Sequence, residues 1–402
     1  MSGQVRSRLL FLTCSVVLML LLLSGSLLAV APDKTGGKTK DTGSIYKYLS
    51  VFSETLNLVR QAYVDDTASE SLMANAMDGV TDALDPFSLY IPADQFAAYQ
   101  RAAAVGSSRS GLRLVKERGF AVVIGIGEGS PAEKTGLELG DLVSKIDGRP
   151  TRIMPLWELV EVFAGAPGAK IELELIHRAQ PKKLTFTLAD WSAPGPRVEE
   201  LRGGAMLLRI ADINEKTAAA TEIALRDLGS RKITKLMIDL RDTSGTDSGA
   251  AYPVAQLFAH GDLGALLRRG DTVTAFNSPA DPVWKGDIVV LIDRGTLGAG
   301  EVLATVLRQA AGAKLVGDDP TFGHAGRSAV VDVREGGKLE LTDAFFSGPD
   351  KKPLREGLQP DLTVDERVRS FAEKDVPLAT VVRERALRLL LGEDPLPAKK
   401  AA

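Results

Sequence analysis

Cysteine is nearly absent from this sequence, and histidine is scarce. The one cysteine, Cys14, lies inside an apolar N-terminal run, so the rest of the chain holds neither a disulfide nor a cysteine-bound metal. The three histidines, His177, His260 and His324, fall far apart in different elements, and no His/Cys/Asp/Glu cluster has the spacing of metal ligands. No metal or other cofactor is therefore expected. An excess of one charge is also lacking: 49 Lys+Arg against 52 Asp+Glu leave a net charge of -3, with both signs interspersed. That removes the basic footprint a nucleic-acid partner requires. The stretch "GTLGAG" lacks both the lysine of a P-loop and the full glycine fingerprint of a dinucleotide fold, and the Asp318-Asp319 pair reads as a solvated turn.

What is present starts with the apolar run. Arg6 and Arg8 precede "LLFLTCSVVLMLLLLSGSLLAVA", whose length lies between a secretory core and a membrane span. Ala29-Val30-Ala31 offers a small-x-small cleavage site, and an uncleaved run would anchor the chain with its arginines inside. Residues 1–31 read as a signal peptide or a membrane anchor, which places the body outside the cytoplasm, periplasmic or held at the inner membrane facing the periplasm. Cys14 lacks the small residues of a lipoprotein cleavage site before it and reads as apolar filler. Residues 32–44, "PDKTGGKTKDTGS", read as a flexible tether.

The remaining length suffices for two or three domains. "IYKYLSVFSETLNLVRQAYV" sets Leu49, Phe52, Leu56, Val59 and Tyr63 at helical spacing. "SESLMANAMDGVTDAL" repeats the signal with Leu72, Ala76 and Val80, and Ser69 reads as its N-cap. A turn, a short extended piece and a helix from near Ala93 follow. From about Ser110 the runs are β-rich: "GLRLVKE", "FAVVIGI", "DLVSKIDG" and "KIELELIHR", with a helical "LWELVEVFAG" before the last. Beyond the joint "DWSAPGPRVEE", the apolar runs "AMLLRIA", "KLMIDL" and "DIVVLID" each precede a helical stretch: "EKTAAATEIALRDLG", "GAAYPVAQLFAHG" and "AGEVLATVLRQAAG". Buried strands alternating with helices indicate an α/β domain. "ERVRSFAEKDVPLATVVRERALRLLLG" closes the chain as an amphipathic helix, and no internal repeat is apparent.

Three pieces in order resemble a PDZ domain: Gly111-Leu112-Arg113-Leu114, the segment Ser130 to Leu137 ("SPAEKTGL") and the segment Gly140 to Gly148 ("GDLVSKIDG"). In the first, a glycine lets the backbone turn so that successive N–H groups face a peptide carboxylate, and the strand edge after it accepts an added strand. Gly111, Leu112, Arg113 and Leu114 are thus the candidate peptide-binding residues, with Leu112 and Leu114 lining the side-chain pocket.

The likeness extends over nearly all of the chain after the tether. "YLSVFSETLNLVRQAYVD", "MDGVTDALDPFSLYIPADQF", the PDZ-like segment, "IDLRDTSGT", "VVLIDRGTLGAGEVLATVLRQAAGAKLVGDDPTFG" and "EGLQPDLTV" follow the order of the C-terminal processing peptidases, or tail-specific proteases. The resemblance implies an α/β multidomain chain: a helical region over 45–104, a PDZ domain over 105–192, a peptidase-like α/β core over 193–366 and a helical tail over 367–402. It also implies exported serine endopeptidases that hold a substrate C-terminus in the PDZ domain and cut nearby with a Ser/Lys pair. Such chemistry needs a serine at a turn into a helix and a neutral lysine to take its proton.

Aligned on Glu301, the family turn Ser-Ala-Ser-Ala-Ser-Glu falls on Thr296, Leu297, Gly298, Ala299 and Gly300. The nucleophile's place is Gly298, the base lysine's place after Thr-Phe-Gly is His324, and a supporting acidic position after Gln309 is Ala310. The segment the family writes as Asn-Pro-Gly-Gly, after Asp-Leu-Arg, reads Asp242-Thr243-Ser244-Gly245-Thr246, leaving Gly245 as a possible oxyanion donor through its backbone. No catalytic residue is expected at these positions. The leading expectation is a binding homologue that takes polypeptide C-termini or unfolded segments and acts as adaptor or regulator of proteolysis beside an active peptidase relative. It meets a membrane only through residues 1–31 if these are uncleaved. The alternative is an active endopeptidase using Thr296 with His324, or another nucleophile. A third reading confines the PDZ domain to intramolecular packing.

Overall fold

A computed structural model describes residues 42–245, 247–365 and 375–393. The apolar run 1–31, tether residues 32–41, Thr246 and both ends of the expected tail lie outside the described residues. The chain divides into two compact units after Leu72. The first holds helix α1, Thr42–Ala62, and the beginning of α2, Ser69–Asp82. Helix α1 begins inside the segment read as tether, and on it Leu49 and Val51 stay more than half exposed. Ser69, read as an N-cap, is instead the first helical residue, because Leu72 N–H reaches back to the Ala68 carbonyl.

The second unit holds the rest of α2, then β1, Leu89–Ile91, and α3, Phe96–Val105. The helix starts later than the pattern suggests because Gln95 N–H closes a turn onto Pro92 O. Next come β2 (Leu112–Glu117), β3 (Phe120–Ile126), β4 (Leu142–Ile146), β5 (Arg149–Pro150), α4 (Leu156–Phe163), β6 (Lys170–His177) and β7 (Gln180–Thr187). These form an antiparallel sheet in the order β2-β3-β4-β6-β7, with β5 on β4. Ile171, Leu173 and Leu175 of β6 alternate inward, as a half-buried strand requires, and pack with Leu159 and Phe163 of α4. Strand β2 is left at the edge of this sheet and lies against α4.

The chain continues through β8 (Arg197–Glu200), β9 (Met206–Arg209), α5 (Thr217–Ser230), β10 (Lys235–Asp239), α6 (Ala251–Ala255), β11 (Gly261–Arg268), β12 (Asp271–Ser278), β13 (Asp287–Leu291) and α7 (Ala299–Ala310). It ends with β14 (Lys314–Gly317), β15 (Gly326–Asp332), β16 (Lys338–Ser347), β17 (Leu362–Thr363) and α8 (Leu378–Leu391). Strands β17-β14-β13-β10-β9 pair in parallel, with β8 antiparallel on β9. Alternate side chains of β10 and β13 feed two different apolar clusters. Ile238 and Val290 join the one containing α7, and Met237 and Leu291 join the one containing α8. Cover on both faces explains why these strands read as continuous apolar runs. The helix expected over "GAAYPVAQLFAHG" shrinks to α6, after which the bonds of Leu257 to Val254 and Phe258 to Ala255 tighten the chain into turns.

A third sheet, β1-β16-β11-β12 with β15 on β16, had no counterpart in the sequence reading. Its pairings join distant segments, such as Leu266 with Phe346 and Tyr90 with Leu339.

Candidate functional site

The ends of β10 and β13 deliver two loops to one edge of the parallel sheet, the place where open α/β sheets carry their sites. In the second loop Thr296 is fully buried. Its hydroxyl donates to the Leu240 carbonyl at 2.8 Å and accepts from Asp293 N–H at 3.0 Å. Gly298 follows with φ +48 and ψ -102, and α7 begins at Ala299. Glu301, 1% exposed, is the acceptor on which the surroundings converge. It takes the N–H of Gly298 at 3.1 Å, of Gly323 at 2.6 Å and of His324 at 3.0 Å, and the Thr321 hydroxyl at 2.5 Å. Burial pushes its pKa up to about 7 while these donors pull it down. One carboxyl group thus ties the turn into α7 to the loop carrying His324.

His324 is positioned by its own N–H on Glu301 and by its ring. The imidazole stacks on Phe87 at 4.2 Å, meets Phe345 edge-on at 5.2 Å, and has Nε2 3.3 Å from the Thr342 hydroxyl. Burial lowers its pKa, which the charge of Asp85 offsets in part. The Gly298 Cα faces the backbone of His324: a Cβ there would lie 3.9 Å from the His324 carbonyl. The Thr296/His324 pair considered from the sequence is not assembled, because the Thr296 hydroxyl is committed to Leu240 and Asp293. Ala310 sits exposed at the end of α7. Gly245 lines the cavity beside Gly298 and has no room for a side chain, since a Cβ would come within 2.3 Å of the Ile213 carbonyl.

Ser248 was missed by sequence reasoning. It opens a short 3-10 turn capped by Asp247, and its Oγ lies 2.9 Å from where a Cβ on Gly298 would stand. A hydroxyl from the first loop therefore occupies the space that a side chain at position 298 would need. No local signal in "TDSGA" marks this, because the approach depends on how the two loops meet.

In the β-rich domain, Gly111 has φ +68, and a Cβ on it would fall 2.0 Å from the Ser130 Cβ, so only glycine fits. Two of the donors expected to face a peptide carboxylate are engaged within the domain: Gly111 N–H bonds Ser107 O at 2.6 Å and Leu112 N–H bonds Ser110 Oγ at 3.1 Å. Leu112 is buried in the domain core and Leu114 packs against it. Between β2 and α4 lies a cavity of about 370 Å³, lined by Leu112, Leu114, Leu159 and Phe163 on one side and by Gly245, Ser248, Gly298 and His324 on the other. Leu297, next to Gly298, packs with Val115, Val122 and Ile124, which docks the turn against the sheet. Across His324 lies a second, more polar cavity of about 840 Å³ that includes Glu117, Arg294, Phe345 and Arg355.

The chain carries a PDZ domain and a domain of Peptidase family S41. Residues 205–364 match Peptidase family S41 and residues 122–176 match the PDZ domain. The chain is similar to the carboxy-terminal-processing protease of Bartonella bacilliformis, 27% identical over 356 residues that cover 86% of this chain and 80% of that one. It is likewise similar to the carboxyl-terminal-processing protease of Synechocystis sp., 26% identical over 360 residues, covering 85% and 84%. The solved photosystem II D1 C-terminal processing protease shares the fold, with a TM-score of 0.65 at 23% identity over 84% of this chain and 96% of that one.

Proposed function

We propose that this protein holds polypeptide C-termini or extended segments in the groove between β2 and α4 without cutting them, as an adaptor or regulator beside an active peptidase relative. One observation carries the reading: the groove opens directly onto a turn whose nucleophile position, Gly298, has no side chain. The base position does not compensate, since the His324 ring is packed between Phe87 and Phe345. Acyl transfer needs a nucleophile and base within hydrogen-bond reach, and among the described residues the hydroxyl nearest His324 Nε2, that of Thr342 at 3.3 Å, lines the second cavity rather than the groove. Residues 1–31 would place this activity outside the cytoplasm, periplasmic or at the inner membrane, which mass determination of the mature N-terminus would test.

Incubated with an unstructured polypeptide, the purified protein is expected to yield no fragments over hours. Gly298→Ser is expected to remain equally silent. The backbone at φ +48 strains any side chain, the new one would meet Ser248 Oγ, and position 324 still lacks a lysine. A second reading rests on Ser248, whose hydroxyl shares the cavity with His324. Fragments from the wild type that disappear in Ser248→Ala and His324→Ala would replace the binding reading with hydrolysis from a displaced serine.

A further inference from the structure

The contact of His324 Nε2 with the Thr342 hydroxyl of β16, at 3.3 Å, is the one hydrogen bond of the imidazole among the described residues. Two devices hold the pair together. Gly326 leaves it room: a Cβ there would stand 2.7 Å from His324 Nε2 and 2.8 Å from Thr342 Cγ2, so a side chain would part them. The segment 85–88 braces both members. Its Phe87 ring stacks on the imidazole at 4.2 Å, and its Ser88 Oγ accepts from Thr342 N–H at 3.2 Å while donating to Asp85 Oδ2 at 2.8 Å. Asp85 also takes the N–H groups of Phe87 and Ser88, at 2.9 and 2.8 Å. Its carboxylate is thereby fixed near the imidazole, where its charge favours the imidazolium. His324, Thr342 and Asp85 all line the cavity of about 840 Å³, whose other charged residues are Glu117, Arg294, Asp319 and Arg355. The Arg355 guanidinium lies over the Phe345 ring at 4.8 Å, and that ring meets the imidazole edge-on at 5.2 Å. Among the described residues neither Arg294 nor Arg355 forms a side-chain hydrogen bond or an ion pair, so their donors are open to a ligand.

A hydroxyl beside an imidazole, a carboxylate that stabilises the imidazolium and unpaired cations around one cavity are the parts of acyl transfer. We infer that Thr342 and His324 form an esterolytic site in this second cavity, with Thr342 as nucleophile, His324 as base and small carboxylic esters as substrates. The separation of 3.3 Å is that of an unliganded pair, of the kind that tightens when substrate fills the site. Thr342 Oγ1 attacks the ester carbonyl carbon as its proton passes to His324 Nε2, and the charge developing on the carbonyl oxygen is met by the Arg355 guanidinium. The bond from that carbon to the alcohol oxygen then breaks, and the alcohol leaves with the proton from Nε2. Water, giving a proton to Nε2, attacks the acyl-threonine. The carboxylic acid departs and Thr342 recovers its proton. Ester and water thus yield acid and alcohol, with no other reactant. Asp85 touches no reacting atom and acts as a positioning residue whose charge lowers the cost of the imidazolium. Esters are favoured over peptides because an alcohol leaves more readily than an amine, and a cavity of this volume suits a small molecule. Thr342 does not line the groove, so this activity stands apart from the binding function proposed above.

The test is release of p-nitrophenol from p-nitrophenyl acetate by the full-length chain in mild detergent. Wild type is expected to hydrolyse it with saturation, and mass analysis after a rapid acid quench should find an acetyl group on Thr342. Thr342→Val, which keeps the shape and removes the hydroxyl, should lower kcat/KM roughly 100- to 10,000-fold, and His324→Gln by a similar factor. The double variant should be no slower than the slower single one, as for groups that act as a unit. Gly326→Ala, which keeps both groups and sets a methyl between them, should lower kcat with little change in KM. An unchanged rate in any of these three single variants, each shown to be folded by circular dichroism, overturns the inference. If Thr342→Val fails to fold, the wild-type adduct decides: an acetyl group on another residue, with Thr342 unmodified, overturns it. Absence of saturable hydrolysis by wild type also overturns it and leaves peptide binding in the groove untouched.

Discussion

Glu301→Ala is expected to lower the stability of the protein by about 3–5 kcal/mol, the largest effect of any single substitution considered for this site. Four donors converge on this carboxyl group: the N–H groups of Gly298, Gly323 and His324, and the Thr321 hydroxyl. Truncation leaves them in a space that is 1% exposed at residue 301, where each unpaired donor costs roughly 1–3 kcal/mol before relaxation. Thr321 also accepts from Leu358 N–H, so the loss would spread to the segment leading to β17. Glu301→Gln should fall between, because its carbonyl can serve one pair of donors while its amide nitrogen faces the other pair as a fifth donor. Urea denaturation is the measurement, with a lower midpoint at unchanged slope expected. A loss below about 1 kcal/mol for the alanine variant would mean that the turn and the His324 loop hold their places without the carboxyl group.

Asp242→Asn should act in the opposite direction and only above a certain pH. Asp242 and Asp293 are partly buried neighbours, joined through the Asp242 N–H on Asp293 Oδ1 at 3.0 Å. The Asp242 Oδ1 is buried without a hydrogen-bond partner. Burial, reinforced by the charge of Asp293, pushes Asp242 up to about 7, and burial raises Asp293 to about 6. A carboxyl group whose folded pKa lies above its unfolded value holds its proton longer when folded. Its contribution is therefore neutral below the ordinary value of 3.8, turns unfavourable as pH rises toward about 7, and stays unfavourable above it. Asparagine removes the repulsion at similar volume and also tolerates the positive φ of +50 at this position. The variant should be more stable by about 1–3 kcal/mol at pH 8, with the advantage fading toward zero near pH 4. Thermal unfolding of both proteins across that range measures it. An advantage independent of pH, or a loss at pH 8, would show that the two carboxyl groups do not share the penalty.

Much of the architecture was legible because it rests on local periodicity. Strands β10 and β13 are short apolar runs followed by helical patterns, and β6 alternates strictly, so their type follows from which faces are covered. The third sheet was not legible. Strands β11, β12 and β15 mix polar and apolar residues without a clean period, β11 carries Gly264 at φ +144, and both β11 and β15 have irregular register. Their assignment depends on partners far along the chain, such as Ser347 for Ala265. The Ser69 cap and the long helix at 249–261 failed for a related reason: helix ends answer to backbone bonds that propensity does not specify.

For the site, the sequence by itself determined which side chains stand at the turn and in the loop facing it. Register on Glu301 places glycine at 298, the Thr-Phe-Gly triplet is followed by histidine at 324, and no folding can add a hydroxyl or an amine to those positions. Only the tertiary structure decided what stands around them: Ser248 beside Gly298, Thr296 turned to Leu240, the Asp242–Asp293 pair, and Arg113 left with one distant carboxylate. The physical reason is distance along the chain. Asp242 and Asp293 are 51 residues apart, and whether such groups meet, pair or remain unpaired is set by how loops from different strands pack at one edge of the sheet.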